Sequence, residues 1–269
     1  MKHVWVTSIA AVTSCVCAFA AARPAKDYGK LPLTFEVNAG QTDGRVKYLS
    51  RGAGYTLFLT SENVAILSLA RTVNGEPQTT AIRMTMPGSK HADAIRGLEP
   101  IATVSNYFYG NDTTHWLKGV RHFGRISYDG VYPGVDLVYY GNQRQLEYDF
   151  VVAPGSDPRV IRLKFEGADR VSTENGDLVL QTRYGRLRQL KPVVYQEING
   201  KRRYITAKYT VFGNKQAGFS IAAYDRSHKN LCSAETVGFS HAEEAPPFRT
   251  GTCVGCQPPP RLINLVLSS

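Results

Sequence analysis

The sequence predicts an all-β protein of antiparallel, β-sandwich-like sheets, and three observations lead there. The 269-residue chain is well supplied with tyrosine (15) and phenylalanine (11) and poor in methionine (3), and aromatic side chains suit a pleated, half-buried surface. Glycine (24) and proline (14) are spread along its length, the punctuation of strands joined by tight turns. Apolar and polar residues alternate in several short runs, the period of a strand with one face buried. With 43% hydrophobic and 20% charged residues, the chain can bury a core, and its length suits one large or two small domains.

The N-terminus carries the most specific local signal. Lys2 and His3 precede an uncharged run from Val4 to Ala20, and small residues follow up to Arg23. Ala18-Phe19-Ala20 or Ala20-Ala21-Ala22 provides the small-x-small site that a signal peptidase reads, because its pockets admit only small side chains. Residues 1–22 are therefore read as a signal peptide, cut after Ala20 or Ala22. A membrane anchor is the alternative, but the run is short, contains Thr and Ser, and has no positive stop. Val12-Thr13-Ser14-Cys15 loosely fits a lipidation box, although the residues after Cys15 stay apolar. No later segment approaches the ~18 consecutive apolar residues of a spanning helix. The mature chain is expected in the periplasm, on the cell surface or outside the cell, with no transmembrane helix after signal removal.

Residues 23–30 read as a polar lead-in and 31–225 as the β-rich domain. Val46 to Leu49, Tyr55 to Leu59 and Val64 to Leu69 are short β-rich runs, separated by Gly52-Ala53-Gly54 and Ser61-Glu62-Asn63. Asn74-Gly75 turns the chain into Thr80 to Met86; Pro87-Gly88 stops that run, and the polar stretch to Glu99 reads as loop. Residues 110–118, opening Gly-Asn-Asp-Thr-Thr, mark the candidate boundary between two subdomains. Further on, Leu146, Tyr148 and Phe150 alternate with Glu147 and Asp149, which sends the carboxylates to the opposite sheet face. Ile161, Leu163 and Phe165 alternate with Arg162 and Lys164 in the same way. Asn175-Gly176 and Asn199-Gly200 provide the positive φ angles that two-residue hairpin turns require.

Lys and Arg exceed Asp and Glu by 32 − 22 = 10, without any block of five or six basic residues. That gives no indication of a nucleic-acid arm or a polybasic tether; the excess reads as a solvated basic surface, with a weak, salt-sensitive attraction to anionic envelope polymers as the functional remainder. Cys15 and Cys17 leave with the signal and no cysteine lies between Arg23 and Asn230, so the core is expected to stand without disulfides. After Asp225 the alternation ends. Pro246-Pro247 and Pro258-Pro259-Pro260 remove backbone donors and fix φ, so 226–269 reads as an irregular, poorly ordered tail, in which Leu262 to Leu267 could add one edge strand.

The chemistry-bearing residues are few. Asp136, Glu147 and Asp149 form the best acidic constellation, because a hairpin turning at residues 141–144 brings Asp136 near the Glu147/Asp149 face. Paired carboxylates serve glycoside hydrolysis when one is held protonated, or bind calcium; alternating acids on a strand also simply form a solvated face or pair with Arg or Lys across the sheet. Tyr107-Phe108-Tyr109 with Trp116, and Tyr139-Tyr140, could offer rings to a sugar, although in a β-protein such residues usually fill the core. His91, His115 and His122 sit in polar contexts and read as surface histidines, and no G-x-S-x-G surrounds any serine. Cys232, His241, Cys253 and Cys256 are nominally four zinc ligands, but their spacing matches no zinc module and a disulfide competes in an oxidising compartment. No metal or cofactor is expected.

Several longer stretches stand in an order that carries a resemblance: Phe35-Glu36-Val37-Asn38-Ala39-Gly40-Gln41, Asn106-Tyr107-Phe108-Tyr109-Gly110 with Trp116, Val131-Tyr132-Pro133-Gly134-Val135-Asp136 through Gly141, Leu146 through Pro158, Lys191 to Gln196 and Ala223-Tyr224-Asp225. Over roughly Leu31 to Asp225 the chain resembles the uncharacterised N-terminal domain of bacterial surface proteins that carry SBBP repeats, the β-propeller repeats. The resemblance implies an exported β-rich module and no assigned reaction. In that family a hydrophobic strand and then the repeats follow; here Arg226-Ser227-His228-Lys229-Asn230 leads into an unlike tail, as a shifted reading frame or a truncated gene would give. The expected function is an exported, non-catalytic β-module of cell-surface proteins with a structural or adhesive role, its partners envelope polysaccharide or surface proteins and not nucleic acid. The alternative is a carbohydrate-binding or carbohydrate-cleaving envelope protein using the acidic face.

Overall fold

A computed structural model describes residues 33–240, apart from 53, 74–75, 143–144, 184, 200 and 228–229. The signal region with Cys15, Ala20 and Ala22, the lead-in 23–30, and 241–269 with His241, Cys253 and Cys256 lie outside the described residues. The strands are β1 (Phe35–Val37), β2 (Val46–Gly52), β3 (Tyr55–Thr60), β4 (Ala65–Val73), β5 (Glu76–Thr85), β6 (Ala94–Tyr107), β7 (Leu117–Tyr132), β8 (Val135–Asn142), β9 (Gln145–Val152), β10 (Arg162–Glu166), β11 (Arg170–Glu174), β12 (Asp177–Thr182), β13 (Gly185–Gln189), β14 (Val193–Ile198), β15 (Lys201–Ile205), β16 (Ala207–Phe212), β17 (Gln216–Ile221) and β18 (Asn230–Ser240). Two 3-10 turns, Thr113–His115 and Pro158–Val160, complete the set, with no α-helix among the described residues.

The fold is all-β and its ladders are antiparallel. Successive hairpins link β2 through β5, and β5 pairs with β10, which pairs with β17 and through it with β16. In the other direction β2 pairs with β1, β1 with β7, and β7 with β8, β9 and then β18. The far edge of β18 takes β14 along its first half and β13, followed by β12 and β11, along its second. The two ends of this path meet where Val171 N donates to Asn214 O at 2.8 Å. One buried apolar cluster lies inside, with Phe35, Leu137, Phe150, Leu163, Leu180 and Phe219 among its members. It draws on residues from both sides of the 110–118 connection.

Local sequence explains most of these elements. Ile161, Leu163 and Phe165 face the core as their alternation predicts, and so do Leu146, Tyr148 and Phe150. The two-residue β11–β12 turn holds Asn175 and Gly176 at φ 53° and 92°, the positive angles expected of Asn-Gly. Asn38 folds the loop after β1 by itself: its Nδ2 donates to the carbonyls of Asp43 at 2.8 Å and Val46 at 3.0 Å, and its Oδ1 accepts from Gly40 N at 3.1 Å. The Asn-Ala-Gly-Gln stretch is therefore a structural knot.

Two segments depart from the sequence reading. Residues 94–99, read as loop, begin the long strand β6, which β7 holds through backbone pairing although its own side chains show little alternation. Asn230–Ser240, within the stretch read as an irregular tail, forms β18 between β9 on one edge and β13 and β14 on the other. A strand paired on both edges takes its register from its neighbours and needs no period of its own. A 40 Å³ void in the core, lined by Leu57, Leu146, Tyr148 and Gln189 among others, is about the size of one water and too small for an organic ligand.

Candidate functional site

The acidic residues occupy the sheet face opposite the core, but they are not a solvated row. β9 is covered on both faces: Glu147 is 0% and Asp149 4% exposed. Tyr140, diagonal to Asp149 in the β8–β9 register, donates its hydroxyl to Asp149 Oδ1 at 2.9 Å, and Arg125 lies 5.2 Å over the Tyr140 ring. Tyr195 on β14 packs against Val151 and Val193; burial raises its hydroxyl pKa, the Arg202 charge opposes that shift and the Asp149 charge adds to it. Asp136 turns elsewhere, accepting from Gly130 N at 2.7 Å and so pinning the irregular end of β7. The structure thus brings Glu147 and Asp149 together beneath cover and commits Asp136 to a turn. Cys232 occupies the β18 position across from Phe150 and Val194. Among the described residues no group of three or more His, Cys, Asp or Glu could hold a metal ion, and no helix is long and apolar enough to cross a membrane.

A different constellation, not singled out in sequence, lies where β2, β1, β7 and β6 run side by side. Glu36 on β1 is buried, and its carboxylate accepts from Arg51 Nη1 on β2 at 2.6 Å and from the Tyr107 hydroxyl on β6. Arg51 also donates to Tyr107 Oη at 2.7 Å and lies 5.5 Å over its ring. Burial first, and then the Glu36 carboxylate, hold the Tyr107 hydroxyl pKa above its ordinary value. Beside them His122, directly across from Glu36 in the β1–β7 register, is buried rather than on the surface. Its Nδ1 is 2.9 Å from Thr34 Oγ1 and its Nε2 2.8 Å from Ser105 Oγ.

A hydroxyl that close to imidazole has the spacing of a nucleophile and its base. A triad, however, also needs a carboxylate to stabilise the imidazolium. Here the adjacent Glu36 is turned to Arg51 and Tyr107, and the third member is the Thr34 hydroxyl. The arrangement reads as a polar clip that locks β6 and β1 onto β7. Its one hint in sequence was that Glu36 and Tyr107, separated by 71 positions, both fall in stretches carrying the family resemblance.

The clip carries an aromatic ledge at its outer end. β6 stops at Tyr107, and the chain returns to β7 through a turn in which Asp112 Oδ1 accepts from Thr114 N at 2.9 Å. That turn delivers Trp116, whose indole donates to Gly110 O at 3.3 Å and meets the Phe108 ring edge-on at 4.9 Å. Tyr109 stacks on Tyr107 at 6.0 Å, the rings inclined by only 13°. Core packing, the ordinary fate of such residues, is not what happens: Phe108 is 61% and Tyr109 48% exposed, with Val104 nearby in sequence 46% exposed. Lys118 lies 5.3 Å over the Trp116 ring, and no ion pair engages it among the described residues. Trp116 therefore belongs to this cluster and makes no bond or ring contact with Asp136, Glu147 or Asp149. Tyr139 and Tyr140, in contrast, are buried on opposite faces of β8.

No curated protein and no solved structure matches the chain. A family model does, over residues 35–231, an interval that opens at β1 and takes in the Glu36–Arg51–Tyr107 clip, the aromatic ledge, the covered acidic pair and the first residues of β18. The chain belongs to the DUF7948 family, a domain of unknown function.

Proposed function

We propose that this chain is an exported, non-catalytic β-module of bacterial cell-surface proteins, with a structural or adhesive role exercised by binding. The observation that carries the reading is the aromatic ledge: Phe108 and Tyr109 are presented to solvent while Tyr107 beneath them is anchored by Arg51 and Glu36. Folding gains less from rings held outside the core than from buried ones, and exposed apolar clusters on a protein surface mark interaction sites. Glycoside cleavage finds less support, because it needs two carboxyls flanking an open cleft and Glu147 and Asp149 lie covered on one strand face. Export and a surface setting are supported by the signal-like residues 1–22 and by the resemblance to the N-terminal domain of SBBP-repeat proteins.

The test is to recover the protein from outside the cytoplasm, sequence its N-terminus, and incubate it with isolated envelope polysaccharide. The expected result is a start at Ala21 or Arg23 and co-sedimentation without release of reducing ends. An intact Met1, or reducing ends released in proportion to protein, would overturn the reading.

A further inference from the structure

The ledge combines two features that together specify a ligand class. Its rings are arranged as two pairs on one short segment, Tyr107 with Tyr109 and Phe108 with Trp116. Arg51 over Tyr107 is already neutralised by Glu36, whereas Lys118 over Trp116 is engaged by no ion pair among the described residues. The C–H face of a pyranose is apolar and weakly positive, so it packs against the negative face of an aromatic ring. A carboxylate on the sugar would meet Lys118. The whole chain adds a net charge of +10, which draws polyanions to the surface over a Debye length.

The size of the ledge argues in the same direction. Aromatic side chains carry about 150–250 Å² each, so half-exposed Phe108 and Tyr109 offer roughly 200 Å². That falls well short of the ~800 Å² per partner of a stable protein interface, and it matches a few sugar rings. The adjacent strand edge is also a poor docking rail for a polypeptide, because β6 contains Pro100 and is interrupted by register shifts at 101–104 and 105–107.

We propose that the ledge formed by Phe108, Tyr109, Trp116 and Lys118 is a binding subsite for an acidic polysaccharide, with rings stacking on sugar faces and Lys118 meeting uronate-type carboxylates. This rests on the reading of the chain as a binding module and names the ligand class of that site. The experiment is affinity electrophoresis of the full chain in gels containing polygalacturonate or neutral dextran, with wild type, Phe108→Ala, Tyr109→Ala and Lys118→Gln, each checked for an unchanged melting temperature. All three side chains lie at the surface, so folding is expected to survive.

Polygalacturonate should retard the wild type and dextran should not. Each ring deletion should weaken retardation by about tenfold, and Lys118→Gln should weaken it mainly at low salt, the difference vanishing in about 1 M salt. Retardation that all three variants retain would place polyanion binding on the general basic surface and overturn the subsite, while leaving a binding module intact. Equal retardation by dextran would overturn the acidic ligand class. No retardation by either polymer, or self-association abolished by Phe108→Ala, would overturn the proposal in favour of a protein-facing ledge.

Discussion

At the scale of single residues, the buried phenols are the most consequential titratable groups. Burial raises the hydroxyl pKa of Tyr55 to about 12 and pushes those of Tyr128, Tyr132, Tyr139, Tyr148 and Tyr195 upward as well. Tyr128 donates to Thr60 O at 2.8 Å and Tyr148 to Gln189 Oε1 at 3.0 Å, bonds that the neutral hydroxyl makes and a phenolate would lose. In the unfolded chain these groups ionise near pH ~10, whereas in the fold they keep their protons. Stability is therefore indifferent to these groups below pH ~10 and falls above it, because there the folded state binds more protons than the unfolded one. Tyr128, Tyr139 and Tyr148 are essentially fully buried, and each should remove about 1.4 kcal/mol per pH unit. Three such groups exhaust a typical stability of ~5–15 kcal/mol within a few pH units. A phenolate absorbance titration should show these buried tyrosines appearing together, in one step with loss of β circular dichroism. Smooth ionisation of all tyrosines near pH ~10 with the fold intact would refute it.

At the scale of elements, sequence period was legible wherever one face of a strand met the core and the other met water, and misleading elsewhere. β10 reads correctly because Arg162 and Lys164 remain partly exposed between buried Ile161, Leu163 and Phe165. On β9 the same period suggested a solvated acidic row, yet Glu147 and Asp149 are buried, and no local pattern reports what the rest of the fold will later lay on top. β6 fails in the opposite sense: largely uncovered, it has little reason to alternate and is defined by its pairing with β7. Contacts between elements also decide what a glycine tolerates. Gly167 follows β10 at φ 89°, and a Cβ there would lie 2.0 Å from the backbone oxygen of Ala81 on β5, next to the β5–β10 ladder. Gly155 has a similar φ of 78° with nothing within 4 Å. Left-handed strain costs both alanine variants about 1–2 kcal/mol, but only Gly167→Ala adds an overpacking cost of about 1–3 kcal/mol. Urea unfolding should therefore place Gly167→Ala clearly below Gly155→Ala at similar m-values; equal midpoints would show that the β5–β10 junction yields easily.

At the scale of the whole molecule, the described sheet depends on pairings between strands far apart in sequence, β1 with β7, β5 with β10 and β9 with β18. Hairpin signals such as Asn175-Gly176 announce neighbours, but nothing local announces these, which is why the strands were legible and their order was not. β18 is the element whose importance was hardest to foresee. From Asn230 to Thr236 it faces β9, while its other edge pairs with β14 from Asn230 to Ser233 and with β13 from Thr236 to Ser240. Removing it would leave three strands with unpaired backbone groups on edges that are now interior, and would separate the β11–β13 and β14–β15 segments from β9. Unpaired edges of that kind template association with other chains, and buried backbone groups left without partners cost about 1–3 kcal/mol each. A chain stopped after Asp225 should therefore aggregate or lose the cooperative thermal transition of the full chain. Size-exclusion chromatography and calorimetry of the truncated and full chains distinguish the outcomes. A monomeric 225-residue product with an unchanged transition would mean that the sheet closes without its eighteenth strand and that the fold is complete at Asp225.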